Sequence, residues 1–159
     1  MLLWTNWRYG STDDDKSWDW WSLYLECRAS RGRNECYAAL AQHALQGLAV
    51  LDLKARRAAG GRAITIDYLS TNPANRKSDS GLKHIGVALV ATAIARSREC
   101  NARGTIRLES LPGAAGFYEN LGLVKQPRSS AEGNTIYVLD WATAEHLLEE
   151  LDSQGIVTL

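Results

Sequence analysis

The sequence predicts a single α/β (α+β) domain: a mixed central sheet of about six or seven strands flanked by helices, with one parallel pair at its centre. Three observations point there. An apolar helical stretch, Gly81–Arg98 (GLKHIGVALVATAIARSR), lies between two strand signals, Ala63–Ser70 and Thr105–Leu111, and a β-α-β unit sets its strands parallel. One hairpin pattern precedes that unit and another follows it. Finally, 159 residues make about one domain, which buries roughly 70% of its unfolded surface, and no repeat, low-complexity tract or linker divides residues 1–159.

Met1–Tyr9 carries Trp4, Trp7 and Tyr9 among polar residues and reads as a strand or an extended arm. Ser11–Lys16 (STDDDK) supplies capping side chains ahead of SWDWWSLYLECRA, with Asp13–Asp15 read as a solvated cap ahead of the other reading, attraction of a cationic amine. Trp18, Trp21, Leu25 and Ala29 fall at helical spacing and predict a core-facing helix to about Arg28. Trp20, on another face, is left for an acceptor pocket or a subunit interface such as a homodimer's. ASRGRN breaks the helix. Cys36–Ala41 and Leu45–Leu53 are apolar runs around Gln42 and His43, a hairpin, and Gly47 in the second run marks a bulge or the close approach of another backbone.

After a loop, ARRAAGGR, the stretch Ala63–Ser70 (AITIDYLS) is rich in β-branched and aromatic residues and reads as a strand. TNPANRKSDS leads into the apolar helix, Asn101–Gly104 ends it, and Thr105–Leu111 (TIRLESL) is the next strand. Pro112 opens a short helix through Gly116–Asn120, and Gly122 suits its C-terminal cap. Leu123–Gln126 and Thr135–Asp140 read as strands around SSAEGN, and an amphipathic helix spans Ala142–Asp152.

Eighteen basic and eighteen acidic residues leave no net charge to draw the chain onto nucleic acid or an anionic membrane, so neither partner is expected. Cys27, Cys36 and Cys100 are few, odd in number and separated, and suggest neither a disulfide framework nor a zinc site. No apolar run approaches the ~20 residues of a membrane span, and Met1–Tyr9 lacks the pattern of a signal peptide. A cytoplasmic location is the expectation.

A helix that is apolar nearly all round, as Ile85–Ala95 is, belongs in a core. Its first turn is different in kind. Gly81 and Gly86 bracket Leu82, Lys83, His84 and Ile85, and a cation at a helix N-terminus opposes the macrodipole unless an anion is there too. Close backbone approach, free N–H groups and a lysine suit a phosphate; close helix packing with Lys83 in water is the other reading.

The order of elements and three stretches resemble the GNAT superfamily of N-acetyltransferases. The first stretch is Ile64–Arg98, where the superfamily carries Arg or Gln, two residues, Gly, one residue, then Gly or Ala, whose amides hold the pyrophosphate of coenzyme A. In one register Gly81 stands for the Arg or Gln, His84 for the first glycine and Gly86 for the last position; in the other these are Lys83, Gly86 and Ala88. The second is PGAAGFYENLGL (Pro112–Leu123), similar to the short helix bearing Phe-Tyr-Glu, and the third is Tyr37–Leu51, similar to a hairpin with a glycine in its second strand.

The resemblance implies a splayed parallel pair at the cofactor site and acetyl-CoA bound by Gly81, Leu82, Lys83, His84, Ile85 and Gly86, with the amides of Leu69, Ser70 and Thr71 near the thioester. It implies transfer of the acetyl group to a primary amine of a small molecule or peptide by direct attack, with Tyr118 giving a proton to the departing thiolate. Such a transfer needs a neutral amine, and Asp67, acting through water, or Glu109 is the candidate base; alternation points Arg107 the same way as Glu109, and Asp67 also stands where it could pair with Arg107.

Other classes find less support. Gly81 and Gly86 have P-loop spacing, but Val87 and Ala88 stand where that motif needs Lys and Ser or Thr. No GxGxxG follows a strand, against a dinucleotide oxidoreductase. His43 and His146 read as surface residues, and no metal site is expected. A non-catalytic module that binds an acyl-CoA or a protein on the same fold is the remaining alternative.

Overall fold

The computed structural model describes residues 7–59, 61–76 and 82–157. In chain order the elements are α1 (Trp20–Ala29), β1 (Asn34–Ala41), β2 (Ala44–Ala58), β3 (Gly61–Thr71), α2 (Ile85–Glu99), β4 (Ile106–Ser110), α3 (Ala115–Asn120), β5 (Val124–Ser129), β6 (Thr135–Leu139) and α4 (Trp141–Ser153). Six strands form one mixed sheet in the order β1-β2-β3-β4-β6-β5, and β3 with β4 is its parallel pair. This is the predicted architecture.

Local chemistry accounts for most junctions. Gln42 (φ 52) and His43 (φ 58) both adopt left-handed conformations, which a two-residue hairpin turn needs to match strand twist. Gly122 (φ 84) ends α3, and the N–H groups of Gly122 and Leu123 donate to the carbonyls of Glu119 (3.0 Å) and Tyr118 (3.1 Å). The expected loop after Leu53 is instead a second hairpin, because β2 runs on to Ala58 and β3 already starts at Gly61. Its outer end is exposed, so it carries arginines and small residues that resemble a loop.

α2 and α4 share one core with the sheet. Ile64, Val90, Ile94, Ile106 and Leu139 are all fully buried in it, each burial being worth about 1.5–3 kcal/mol. Gly47 permits the close contact between β2 and α2: a Cβ there would lie 2.7 Å from Ile85 Cγ2 and 2.9 Å from Leu89 Cδ1. The close approach read from the sequence is therefore to side chains of α2.

The opposite face carries α1 in a smaller cluster of Trp20, Cys27 and Val50 with Trp18, Leu23, Leu48 and Tyr68. The expected core face of this helix is corrected. Asp19 is the N-cap, accepting from the N–H groups of Trp21 and Ser22, so Trp18 lies before the helix and the inward residues become Trp20, Leu23 and Cys27. Trp21 and Leu25, expected inside, are 43% and 45% exposed, whereas Trp20, expected at a pocket or an interface, is buried.

Pairing between β3 and β4 stops after three positions: Ile64 with Ile106, Thr65 with Arg107, and Ile66 with Leu108. Beyond them β3 follows β2 and β4 follows β6. The divergence begins at a bulge, since Val50 faces Tyr68 and Leu51 faces Ile66, leaving Asp67 without an opposite residue. A bulge bends its strand and re-aims the side chains after it. Thus Ile64, Ile66 and Leu69 face the core on the α2 side, while Tyr68 packs against Trp18 and Trp20 beside α1.

Candidate active site

The splay opens two cavities, one of about 560 Å³ and one of about 600 Å³, which share Leu69, Leu111, Ala114 and Tyr118 as lining. Tyr118 therefore reaches both. It is 6% exposed, packs edge-on against Phe117 with ring centroids 5.1 Å apart, and its hydroxyl has no hydrogen-bonding partner among the described residues. Burial pushes its phenol up to about 12, so the proton stays on at neutral pH. The short turn Pro112–Ala114 and the cap at Gly122 hold α3, and with it this ring, at the mouth of the splay.

The first cavity runs from the end of β3 to the start of α2. Asn72 N–H donates to the Gln46 carbonyl on β2 (2.8 Å), and strand N–H groups alternate in direction. The Ser70 amide therefore faces β2, whereas those of Leu69 and Thr71 face the opening. At the far end His84 precedes α2 in a left-handed conformation (φ 65, ψ 5), and its side chain caps nothing. The first intrahelical bond is Ala88 N–H to the His84 carbonyl (2.8 Å), so the N–H groups of Ile85, Gly86 and Val87 have no partner within the helix. A Cβ on Gly86 would meet Phe117 Cζ at 3.0 Å. Lys83 and His84 are exposed, Leu82 N–H donates to Asn75 Oδ1 (3.1 Å), and the sequence-predicted Gly81 lies outside the described residues.

The N-terminal segment forms one wall of this cavity, a placement that no local sequence pattern predicts. Asp13 and Asp15 are buried and Asp14 accepts from Gly113 N–H (3.1 Å), in place of the expected solvated cap. Arg76 grips Asp15 through both guanidinium arms, at 2.8 and 2.5 Å, and donates to the Thr71 carbonyl at 2.6 Å, while the Ser70 hydroxyl donates to Asp15. Burial alone raises a carboxylate, but the bonds from Arg76 and Ser70 prevail and hold Asp15 below its usual range. Asp15 and Arg76 are 61 positions apart, and no local pattern announces the pair.

The second cavity holds the charged candidates. Glu109 pairs with Arg107 (3.2 Å), and Asp52 binds Arg33 (3.1 Å) and Arg56 (2.9 Å). Arg107 is thus engaged by Glu109, and Asp67 has no hydrogen-bonding partner among the described residues. Asp67 is water-accessible yet sits in a cleft with protein around it; that burial, then the charge of Asp52, push it up to about 6 against Arg56 and Arg33. Trp18 and Tyr68 stack edge-on in the wall, 5.0 Å apart. His43 and His146 are exposed, and the described residues contain no cluster of His, Cys, Asp and Glu fit for a metal ion. No described helix is long and apolar enough to cross a membrane.

No family model matches the chain, and no curated protein does either. Solved structures do. A mutant of the AtaT toxin bound to the C-terminus of the antitoxin AtaR is similar over 91% of this chain and 87% of its own, with 17% identity and a TM-score of 0.59. A second AtaT structure of this kind also contains acetyl-CoA (90% and 92% covered, 18% identity, TM-score 0.57). The KacTA–DNA complex is similar over 90% of this chain and 95% of its own, with 16% identity and a TM-score of 0.57. A protein described as a GNAT-family acetyltransferase, from Desulfovibrio desulfuricans, is similar over 76% and 77%, with 18% identity and a TM-score of 0.55. At these identities the likeness is one of fold.

Proposed function

We propose that this chain, whose fold is that of the GNAT acetyltransferases, is an acetyl-CoA-dependent N-acetyltransferase that passes an acetyl group directly to a primary amine of a small molecule or peptide. One observation carries the reading: Tyr118, a protonated phenol whose hydroxyl has no hydrogen-bonding partner among the described residues, lines both cavities where β3 and β4 part.

The first cavity fits coenzyme A. Amides without a partner within the helix at the start of α2, with Lys83 beside them and no side chain at Gly86, suit a pyrophosphate. The left-handed His84 takes the conformation that the first glycine of the phosphate-binding pattern supplies, which favours the register ending at Gly86. When bound, acetyl-CoA supplies the activated acetyl group as a thioester. The amides of Leu69 and Thr71 are donors for negative charge on a carbonyl oxygen at the splay. Asp67, ionised above pH about 6, takes the proton of an ammonium in the second cavity, directly or through water. Glu109 is the weaker candidate because Arg107 occupies it. Tyr118 holds the proton that the leaving thiolate needs.

A thermal melt with acetyl-CoA, coenzyme A and ATP tests the reading. A ligand at 100 times its dissociation constant stabilises by about 2.7 kcal/mol. Both coenzyme A forms are expected to raise the melting temperature and ATP is not; no shift with either form contradicts it.

A further inference from the structure

Cys27 and Cys36, nine positions apart in the chain, lie with their sulfurs 2.6 Å apart. Both are free thiols. Cys27 is on the inward face of α1 and Cys36 is on β1, the outer strand of the sheet. An S–S bond is about 2.05 Å long and tolerates a limited range of backbone separations, so a pair already in sulfur contact closes with a small movement. Cys36 is exposed and open to a small oxidant, whereas Cys100 is remote from both in the chain and has no sulfur contact among the described residues.

We propose that Cys27 and Cys36 are an oxidative modification site, a dithiol that closes to a disulfide and fastens α1 to β1. Two S–H bonds break and one S–S bond forms. With hydrogen peroxide as oxidant, the two electrons and two protons reduce it to two molecules of water; with a low-molecular-weight disulfide they release two thiols. Burial and the neighbouring sulfur push the Cys36 thiol up to about 12, so the reaction is slow and is read at its end point.

The position gives the bond an effect. α1 has two buried residues, Trp20 and Cys27, and exposes Trp21, Tyr24 and Leu25, so its attachment to the sheet is slight. Trp18, Leu23, Glu26 and Cys27 also line the second cavity. A bond at Cys27 fixes that wall. The inference stands on the sulfur geometry and is independent of the acetyltransferase reading.

The test uses the full chain, first reduced, then treated with hydrogen peroxide or oxidised glutathione. Free thiols are expected to fall from three to one, the mass by about 2 Da, and peptide mapping to join Cys27 to Cys36 with Cys100 free. Closing so short a loop should raise the melting temperature by about 5–10 °C, reversed by dithiothreitol. Cys100→Ser should behave like the parent. Cys36→Ser, an exposed and tolerant position, should form no internal bond, and Cys27→Ala gives a second control. Three thiols persisting, a bond through Cys100, oxygen added to separate sulfurs without a link, or a link that leaves the melt unchanged overturns the proposal.

Discussion

Arg76 and Asp15 form a two-armed ion pair, 2.8 and 2.5 Å, that binds the segment ahead of α1 to the turn after β3. The pair is asymmetric: Asp15 is 7% exposed at its side chain and Arg76 26%. Removing Arg76 strands the buried Asp15 without its two-armed partner and takes from Asp13 the contact at 3.5 Å. Arg76→Ala should cost about 2–4 kcal/mol at neutral pH, toward the lower end for a buried pair because Arg76 is partly wet. Asp15 has a depressed folded pKa, so its contribution is present above the unfolded value and lost as pH falls through the folded one. The deficit of Arg76→Ala in urea unfolding should therefore be largest near pH 7 and shrink below pH ~4.

Asp67 has the opposite sign. Its folded value, about 6, lies above the unfolded 3.8, so the folded state binds the extra proton between them and stability falls as pH rises through that window. Asp67→Asn should raise the melting temperature at pH 7.5 by about 2–4 °C, allowing for the water that reaches the group, and leave it unchanged at pH 4. Acetyl transfer should decline in the same variant. A variant equally stable and equally active at pH 7.5 removes Asp67 as base.

His84 holds a left-handed backbone at the start of α2 without a cap bond from its side chain. A non-glycine residue there costs roughly 1–2 kcal/mol, against about 0.5–1 kcal/mol for the greater freedom of an unfolded glycine. His84→Gly should therefore be at least as stable as the parent, by up to about 1 kcal/mol, and should bind coenzyme A no more weakly. Calorimetric titration of the variant measures this, and a large loss of affinity would assign the imidazole itself to the phosphate.

Gly47 sets how closely α2 lies on β2. Gly47→Val places branched carbon where Ile85 and Leu89 now sit, within 3 Å of a Cβ. Overpacking of this kind costs about 1–3 kcal/mol and should tilt the first turn of α2, weakening the acetyl-CoA-dependent rise in melting temperature as well as the apo stability.

Sequence patterns reached as far as local chemistry does. The apolar run of α2, the left-handed turn at Gln42 and His43, and the Gly122 cap each carry their structure in neighbouring residues. The inward face of α1 did not show, because Asp13, Asp14, Asp15 and Asp19 are all cap-forming residues and moving the cap to Asp19 changes which tryptophan faces inward. The bulge at Asp67 did not show either, since the change of side-chain direction depends on pairing with β2 at Val50 and Leu51. Asp15 with Arg76, and Cys27 with Cys36, meet only when separate elements fold together.

The central claim is that Tyr118 completes acetyl transfer where the two cavities meet. It is tested by incubating the parent chain and Tyr118→Phe with acetyl-CoA and a panel of primary amines and following, by mass spectrometry, the acetylated amine and released coenzyme A. The parent should form product, and Tyr118→Phe should form it about 100-fold more slowly or worse, with its acetyl-CoA melting shift retained. Equal turnover by the two proteins contradicts the assignment of Tyr118, and no product from the parent across the panel, with no melting shift, contradicts the acetyltransferase reading itself.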